Sequence, residues 1–439
     1  MLNYLRKKIS FDNPVRLLWH RIKGLTAAIC HRFPAKKMVM IGVTGTNGKT
    51  TTVHMIEHIL STAGKKVAMI STVELRRNGK SRPNKTKKTT LSPFFTQGYL
   101  ATSARKGMDY AVLEASSHAL HQSRLWGIPF SISVITNITH EHLDYHGTMQ
   151  KYAEAKKILF HTVASSCGKK ESARVRSIPH KHAFVLNTHD RFYNDFLDIK
   201  CPEKIPYGID QGDLRATNIT YSKFGSKFNL RYKYDQVGVE LKIPGSFNVE
   251  NALAAAGAAL CCKLSLDEIK RGLETFEGVP GRMERISSPK GFEVLVDFAL
   301  TPDALDKLYK NLEETKEGRL IGLIGSCGDR DKKKRPDMGR IVAEHTDITI
   351  VTDEEPYSED PNVIMQQVLE GAKKTKELGK DLFLIEDRYK AIEFAVKQAQ
   401  KGDTIVVTGM GSFTTRNLNK GAIPWDDRQV AREIIAKYS

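Results

Sequence analysis

The segment from Gly45 to Thr51 has residue types and an order that suit phosphate binding. It follows an apolar run and opens a stretch with helical periodicity, which places it at a strand-to-helix turn. Glycines let backbone N–H groups close around a phosphate, a lysine reaches its outer oxygens, and a hydroxyl can ligate Mg²⁺. The loop residues are Gly45, Thr46, Asn47, Gly48, Lys49, Thr50 and Thr51. We interpret them as a nucleotide-phosphate loop, although the loop is shorter than the GxxxxGK[ST] of common ATPases.

A second set of polar residues follows two apolar runs farther along the chain. Glu114 ends the run YAVLE, and His140, Glu141, His142 and Asp144 come after the run SISVITNI. Ligand-binding residues of a parallel sheet collect at the carboxyl ends of its strands, where a carboxylate can hold a hard cation such as Mg²⁺. One such residue alone would be an ordinary loop group, whereas the cluster predicts a metal and phosphate site.

These groups depend on the strands that position them, and short apolar runs alternate with helical stretches through most of the chain. The runs are MVMIGVTG, KVAMIST, YAVLEAS and SISVITNI, and later FEVLVDFA, RLIGLIGS, ITIVTDE, LFLIED and DTIVVTGM. Short buried strands alternating with helices predict parallel sheets with right-handed crossovers. The predicted fold class is α/β, with a P-loop ATPase domain around a parallel central sheet and a C-terminal Rossmann-like α/β domain.

The domain organisation follows from the same alternation. Residues 1–35 are basic and helical in periodicity, and we expect a short lead-in there. The sequence GVPG at 278–281 marks a boundary. We therefore place a central ATP-binding domain at 36–283 and a C-terminal domain at 284–439, with a cleft between them.

The composition is that of a globular protein. The 439 residues are 40% hydrophobic and 27% charged, which excludes fibrous and disordered classes. We find no uncharged apolar run of the roughly 18 residues that a bilayer span needs, so we expect no membrane association. The six cysteines show no CxxC pair and no regular spacing. They predict reduced thiols in a cytoplasmic protein and disfavour a zinc ribbon or a disulfide framework.

The formal net charge of +18 suggests an anionic partner. The lysines are spread along the chain in short clusters that acidic residues interrupt, and no aromatic-glycine RNA-binding signature accompanies them. We therefore favour solvated lysine faces and sites for anionic substrates over nucleic-acid binding.

Ten motifs occur in order from the loop at Gly45 to near the end of the chain. They are GTNGKTTT, EASSHAL, TNITHEHLDYHGT, YAEAK, GSFNVENALAAA, GVPGRMER, DFALTPDAL, GSCGDRDKKKRPDMG, EEPYSEDP and WDDR. Together they resemble the Mur ligases, and among these the UDP-N-acetylmuramoyl-tripeptide synthetases of peptidoglycan precursor synthesis. The resemblance implies an ATP- and Mg²⁺-dependent, ADP-forming ligase that joins an amino acid to a UDP-N-acetylmuramoyl dipeptide through an acyl phosphate. It also implies a monomer.

The resemblance assigns roles to single residues. Lys49, Lys156 and His142 would be catalytic, and Mg²⁺ would be held by Thr50, Glu114, His142 and Lys156. Lys156 would be a surface lysine by its predicted helix alone, but it is similar to a family lysine that becomes N6-carboxylated. The nucleotide-binding positions, besides the loop, are Asn248, Asn251, Arg282, Asp297 and Arg330. The positions that hold the muramoyl dipeptide are Thr89, Thr90, Ser116, Gln122 and Arg124; their hydroxyl, amide and guanidinium groups suit a sugar, a peptide and an anion.

The sequence departs from the family pattern in two places. Only residues 1–35 precede the ATPase domain, so we expect the usual uridine-binding N-terminal domain to be missing. Diaminopimelate-adding members resemble one another in an Asp-Asn-Pro-Arg motif, where this chain has Glu354, Glu355, Pro356 and Tyr357, and in a Gly-His-Glu motif that aligns with 411–413. Because the arginine that would pair with a distal carboxylate is replaced, these substrate positions disfavour diaminopimelate and suit a cationic side chain such as lysine.

Two other functions stay open at this point. The first is a related amide ligase of the folylpolyglutamate or muropeptide-modifying kind, which would act on substrates without UDP. The second is a basic ATP-dependent nucleic-acid-binding protein, which would show salt-sensitive binding to DNA or RNA and no phosphate release that depends on an amino acid.

Overall fold

A computed structural model describes residues 13–438, and residues 1–12 of the predicted lead-in lie outside the described part. The chain divides into two compact units. The first comprises the residues up to Thr220, together with Lys227–Leu241 and Phe247–Phe276. The second comprises Tyr221–Ser226, Lys242–Ser246 and the chain from Glu277 onward.

Both units contain helices and strands. The helices are α1 (Pro14–Cys30), α2 (Lys49–Thr62), α3 (Pro93–Arg105), α4 (Ser117–His121), α5 (Leu143–His146), α6 (Met149–Ser166), α7 (Ala173–Ser177), α8 (Tyr193–Leu197), α9 (Ser246–Cys261), α10 (Leu266–Glu274), α11 (Pro302–Thr315), α12 (Lys334–His345), α13 (Pro361–Ala372), α14 (Arg388–Gln398) and α15 (Asp427–Tyr438). The strands are β1 (Val39–Thr44), β2 (Val67–Ile70), β3 (Glu74–Arg77), β4 (Lys80–Pro83), β5 (Tyr110–Glu114), β6 (Phe130–Ile135), β7 (Ala183–Asn187), β8 (Glu203–Ile209), β9 (Leu214–Ser222), β10 (Gly225–Tyr232), β11 (Asp235–Leu241), β12 (Glu284–Ser287), β13 (Glu293–Asp297), β14 (Leu320–Ile324), β15 (Ile348–Val351), β16 (Leu382–Leu384), β17 (Thr404–Thr408), β18 (Thr415–Leu418) and β19 (Gly421–Pro424).

The first unit is built on one large sheet with strand order β11-β10-β9-β8-β7-β6-β1-β5-β2-β3-β4. Strand β1 is buried along its whole length and lies parallel to β5 on one side and to β6 on the other. Val43 pairs with Glu114, and Thr44 pairs with Ile135. The carboxyl ends of these three strands therefore meet at one edge of the sheet, which is where the polar segments identified from the sequence begin.

Helix α1 shows how the chain before this sheet is held. Asn13 caps the helix, because its side-chain oxygen accepts a hydrogen bond from the Val15 N–H at 2.9 Å. The face formed by Gly24, Ala27 and Ala28 is buried. Small residues on that face let the helix approach its neighbours closely, and a Cβ at Gly24 would lie 2.5 Å from the Ser123 carbonyl oxygen.

The second unit has a sheet with strand order β12-β13-β17-β14-β15-β16, in which every neighbouring pair except β12 and β13 is parallel. Its strands are buried, and one face of the sheet packs against apolar residues of α14 and α15. The predicted fold class is confirmed. None of the helices formed by residues 13–438 has both the length and the apolar character of a membrane span.

A fully buried ion pair ties together three elements of the second unit. The Arg388 guanidinium at the start of α14 lies 2.7 Å from the carboxylate of Asp427, the first residue of α15, and both side chains are 0% exposed. Arg388 also donates to the carbonyl of Thr408 at the end of β17, and the indole of Trp425 donates to Asp427, each at 2.8 Å. Both charged groups of this pair are therefore compensated by protein groups.

We predict that Asp427→Ala lowers the free energy of unfolding of the second unit by about 3–5 kcal/mol, because it leaves a buried guanidinium without its counter-charge. Urea unfolding followed by tryptophan fluorescence measures the change. The control is Glu377→Ala, which removes an exposed pair with Lys380 at 3.3 Å and should cost no more than about 1 kcal/mol. Equal losses in the two variants would contradict this account of the buried pair.

Candidate active site

The loop between β1 and α2 has a backbone that only glycine can supply at two positions. Gly45 has φ +149°, and a Cβ there would lie 1.8 Å from the Thr136 hydroxyl oxygen. Gly48 has φ +82°, and its Cβ would lie 2.2 Å from the side-chain oxygen of Asn251. The close approach on both sides, together with the left-handed conformation at Gly48, explains the glycines. The loop leads into the N-terminus of α2, where an anion is favoured.

Two lysines converge on a single carbonyl oxygen in this loop. Lys49 donates to the carbonyl of Gly45 at 2.9 Å and to that of Thr46 at 2.8 Å. Lys156, which is 1% exposed, donates to the same Gly45 carbonyl at 2.7 Å and lies 4.3 Å from the centre of the Tyr152 ring. Burial, together with the Lys49 ammonium, holds the pKa of Lys156 well below its usual range. The structure thus places Lys156 under the loop and not on the surface.

Residues that follow β6 hold the loop in place. The Asn47 N–H donates to the side chain of Asn137 at 2.9 Å, and the hydroxyl of Thr136 donates to the Asn47 carbonyl at 2.6 Å. The Thr46 hydroxyl lies 3.2 Å from the hydroxyl of Tyr152. The loop is therefore held by the residues after β6 and by α6.

Glu114 is positioned by a residue at the end of another strand. Both of its carboxylate oxygens accept hydrogen bonds from Thr72, one from the backbone N–H at 2.6 Å and one from the hydroxyl at 2.9 Å. Glu114 is 1% exposed. Thr72 follows β2, so the rule that functional residues collect at the carboxyl ends of parallel strands could have identified it. No sequence motif pointed to it.

His142 lies in a cluster of aromatic rings. It has φ +57°, a strained conformation for a non-glycine residue, and its ring centre is 4.6 Å from that of His118. Desolvation, together with the nearby His118 and Lys156, lowers the pKa of His142 to about 2. The imidazole is therefore neutral and can offer a lone pair to a metal.

The predicted magnesium ligands share the chemistry of a hard-cation site, with one exception. Thr50 is buried in the first turn of α2 and offers a hydroxyl, and Glu114 offers a carboxylate. The ammonium of Lys156 would repel a cation. The set fits Mg²⁺ only if Lys156 carries a carboxylate, which is the modification that the family resemblance implies.

The first group of predicted dipeptide-binding residues clusters at the end of β5. The Thr90 hydroxyl donates to the Glu114 carbonyl at 3.0 Å and lies 3.1 Å from the hydroxyl of Ser116. The Ser116 N–H donates to Thr90 at 3.0 Å, and Thr89 is half-buried next to it in the chain. These hydroxyls lie on the same sheet edge as the phosphate loop.

Gln122 and Arg124 form a second group, centred on Tyr145. Arg124 donates twice to the Gln122 side-chain oxygen, at 2.9 and 2.6 Å, and Gln122 donates to the Tyr145 hydroxyl at 3.0 Å. Burial lowers the pKa of Arg124. The guanidinium has no carboxylate among these partners, so it can meet an anion of the substrate. Sequence reasoning missed Tyr145 as an orienting residue, although it stands in the His-rich motif.

Asn248 and Asn251 lie in α9 against the start of α2. The Asn251 side-chain oxygen accepts a hydrogen bond from the Thr52 hydroxyl at 3.3 Å and is the atom that a Cβ at Gly48 would strike. Asn251 also donates to Asn248 at 3.2 Å. The structure therefore brings both asparagines to the phosphate loop.

The remaining predicted nucleotide residues belong to the second unit. Asp297 ends β13, and its two carboxylate oxygens accept from the N–H groups of Met283 and Ala299, each at 2.8 Å. Burial raises the pKa of Asp297, against the opposing effect of Arg282. The Arg282 guanidinium lies 4.0 Å from the centre of the Phe298 ring.

Arg330 and the altered motif at 354–357 lie near each other in the second unit. The exposed Arg330 guanidinium is 5.7 Å from the centre of the Tyr357 ring. One carboxylate oxygen of Glu355 accepts two hydrogen bonds from Asn417, both at 2.8 Å, and the other accepts from Tyr357 at 3.3 Å. The structure thus assigns Glu355 an internal role that the sequence did not reveal.

Glu354 differs from Glu355, because one of its oxygens has no internal partner. The Cys327 thiol donates to one carboxylate oxygen at 2.9 Å, whereas the other is buried without a hydrogen-bond partner among the described residues. Burial raises the pKa of the Glu354 carboxyl, and Arg388 opposes the shift. A buried acceptor left unmatched by the protein is a candidate for binding a donor of a ligand.

The fold and the loop define a nucleotide-phosphate-binding α/β protein, and comparison with known proteins identifies the family. The Mur ligase middle domain matches residues 43–259, and the Mur ligase glutamate ligase domain matches residues 281–411. A UDP-N-acetylmuramoyl-L-alanyl-D-glutamate–2,6-diaminopimelate ligase of Geobacillus kaustophilus is 36% identical over 98% of this chain and 86% of its own length. The corresponding ligase of Bacillus cereus is 34% identical over 98% of this chain and 85% of its own length. The chain belongs to the Mur ligase family.

Solved structures agree with this assignment. A structure of a ligase with the same name superposes with a TM-score of 0.62 at 33% identity, over 92% of this chain and 79% of that one. A folylpolyglutamate synthase of Mycobacterium tuberculosis has a TM-score of 0.71 over 89% of this chain and 92% of its own, but at 16% identity it shows only a shared fold. The predicted family and the predicted ATP-dependent carbon–nitrogen ligase activity are confirmed, and Mur ligases as a family use ATP and Mg²⁺.

We predict that Lys49→Ala lowers phosphate release at least about 100-fold without unfolding the protein, because the loop loses a cation that can meet the transferring phosphate. A coupled phosphate assay measures the rate, and far-UV circular dichroism checks the fold. The exposed Lys106 provides the control variant Lys106→Ala, which should retain full turnover. Wild-type turnover in folded Lys49→Ala would contradict the assignment of this loop.

Proposed function

We propose that the protein joins an amino acid to a UDP-N-acetylmuramoyl dipeptide in the cytoplasm, as a step of peptidoglycan precursor synthesis, and that it acts as a monomer. The observation that carries the proposal is the pair of lysines on the Gly45 carbonyl at the edge that also holds Glu114 and Ser116. The names of the relatives that match nearly the whole chain support the same substrate class.

The chemistry assigned to these residues starts with phosphoryl transfer. The γ-phosphate of ATP passes to a carboxylate of the peptide, the amine of the amino acid attacks the resulting acyl phosphate, and inorganic phosphate leaves after a tetrahedral intermediate. Lys49 and the N–H groups of the loop neutralise the charge that develops on the phosphate oxygens. Mg²⁺ bound by Thr50, Glu114 and His142 would add further positive charge at the same oxygens.

The environment of Lys156 supports its conversion into a carbamate. Only a neutral amine has the lone pair that attacks carbon dioxide, and burial beside Lys49 favours the neutral form by lowering the pKa of Lys156. The neutral amine forms an N–C bond with carbon dioxide and releases one proton, so a neutral group becomes an anion with two oxygen donors. An anion at this position would be attracted to Lys49 and would complete the oxygen ligands of a magnesium site.

We expect Lys156→Ala to be nearly inactive and to regain part of its activity when a short carboxylic acid such as acetate is added, because the acid can fill the cavity and supply the missing oxygen ligands. The measurement is phosphate release against acetate concentration. The matched control is Lys157→Ala on the same helix, since Lys157 pairs with Glu154 at 2.7 Å and should tolerate the change without any acetate effect. Full activity of Lys156→Ala in plain buffer would exclude the carbamate.

The unmatched oxygen of Glu354 supports a cationic side chain in the added amino acid. A lysine ammonium could donate to this buried carboxylate, whereas a distal carboxylate would meet a like charge. Arg416, the cation that could pair with a substrate carboxylate here, is instead ion-paired with Asp353 and hydrogen-bonded to the Glu354 carbonyl. An unpaired buried charge costs several kcal/mol, roughly 2–7 for a polar group without a compensating hydrogen bond and more for a charge.

The test is a screen of amino acids with UDP-N-acetylmuramoyl dipeptide, following phosphate release and product mass. We predict a higher kcat/KM for L-lysine than for diaminopimelate. Glu354→Gln should lower the value for lysine about 10- to 100-fold, the range expected when a hydrogen bond to a charged group is lost, and should leave that for small neutral amino acids unchanged. A higher kcat/KM for diaminopimelate would overturn the proposed specificity. Turnover only with a muropeptide that lacks UDP would overturn the proposed acceptor.

A further inference from the structure

Three metal-binding side chains of the first unit converge outside the groups assigned above. Glu171, His180 and His182 each present a ligand atom, and these atoms all lie within 4.8 Å of one another. The Nε2 atoms of His180 and His182 lie 3.0 and 2.9 Å from the same oxygen, Oε1 of Glu171. The three side chains are 23%, 6% and 17% exposed, in the order Glu171, His180, His182. They therefore form a compact, half-buried group that solvent can still reach.

The chain builds this group from an extended segment and a loop. His180 and His182 precede β7 with one residue between them, so they project to the same side of the extended chain. Lys181 points the other way, because its Nζ pairs with Glu203 at 2.9 Å, and its N–H donates to the Cys261 carbonyl at 2.9 Å. Glu171 is supplied by the loop that joins α6 to α7. The His-x-His spacing is thus the sequence signal of the site.

The hydrogen bonding of His180 shows that a positive species belongs between it and Glu171. Its Nδ1 lies 2.9 Å from the carbonyl oxygen of Ile178, which can only accept, so Nδ1 carries a hydrogen. A neutral ring then has a lone pair on Nε2, which would face the lone pairs of the Glu171 carboxylate at 3.0 Å. Either a proton or a metal cation at this position removes the repulsion. His182 has no matching anchor, since its Nδ1 is buried without a hydrogen-bond partner among the described residues.

We propose that Glu171, His180 and His182 bind a divalent cation of the Zn²⁺ class. With bonds of about 2.0–2.1 Å, the ligand atoms of a tetrahedral zinc shell are roughly 3.3 Å apart, so the two observed N–O separations need to widen by only a few tenths of an ångström. Two imidazoles and one carboxylate favour zinc and its first-row neighbours over Mg²⁺. The Ile178 carbonyl on Nδ1 of His180 is the kind of outer partner that orients a metal-binding histidine. The cation would join the α6–α7 loop to the start of β7.

The experiment titrates zinc into the full chain after treatment with a chelator, and records bound zinc by calorimetry, the melting temperature, and the visible spectrum with Co²⁺ as the substituted ion. We expect wild-type protein to bind zinc at this group with a rise in Tm. His180→Asn and Glu171→Gln should lose this zinc binding and the rise in Tm. Loss of a group that only orients a metal ligand lowers metal affinity roughly 10- to 100-fold, and loss of a ligand itself should lower it at least as much.

The control variant is His161→Asn, because His161 is exposed on α6 and is not part of the group. It should bind zinc like the wild type. Zinc bound by histidines outside the group would give a signal in every variant, which distinguishes it from zinc bound at the proposed site. Far-UV circular dichroism and the Tm in chelator show whether each variant folds, and Glu171→Gln preserves side-chain size in case His180→Asn does not fold. If folded Glu171→Gln or His180→Asn binds zinc with wild-type stoichiometry and affinity, the group is a proton-linked ion pair and the metal site is excluded.

Discussion

Two amino groups donate to one carbonyl oxygen in this protein, and the sheet edge that carries the phosphate loop is organised around this contact. Lys49 and Lys156 both reach the Gly45 carbonyl, one from the loop itself and one from α6. Like charges this close in a protein interior repel strongly, because the effective dielectric constant there is far below that of water. The arrangement persists only if one lysine gives up its charge or an anion joins them. A phosphate supplies the anion, and a carbamate at Lys156 would reverse the sign of one partner.

Hydrogen bonds from neighbouring strand ends hold the groups at this edge in place. Thr136 and Asn137 hold the loop from the end of β6, and Thr72 fixes both oxygens of Glu114 from the end of β2. The strained backbone of His142 is the kind of local cost that a fold tolerates where a side chain must point into a site. Charge is stabilised most effectively when the dipoles around it need not reorient during the reaction. A parallel sheet favours such fixed dipoles because the ends of several strands meet at one edge.

The sequence predicted those parts of the structure that depend on local pattern. The apolar run before Gly45 and the helical period after it predicted β1 and α2. Side-chain environment is different, because it depends on residues distant in the chain. Helical periodicity alone made Lys156 a surface lysine, and only the resemblance suggested otherwise. The contact that buries it comes from Gly45, 111 residues away. For the same reason, no local sequence pattern showed that Asn417 hydrogen-bonds to the Glu355 carboxylate.

The second unit illustrates why a motif comparison is incomplete without its partners. In the sequence alone, Glu354 and Glu355 are two equivalent negative charges. In the structure, Asn417 and Tyr357 satisfy Glu355, whereas Glu354 has one unmatched oxygen, and Arg416 is committed to Asp353. Under the proposed specificity, the selective element would be one desolvated carboxylate, and its strength would come from burial more than from the number of acidic residues. A buried charge discriminates sharply because the wrong ligand leaves it unpaired, while an exposed charge is compensated by water.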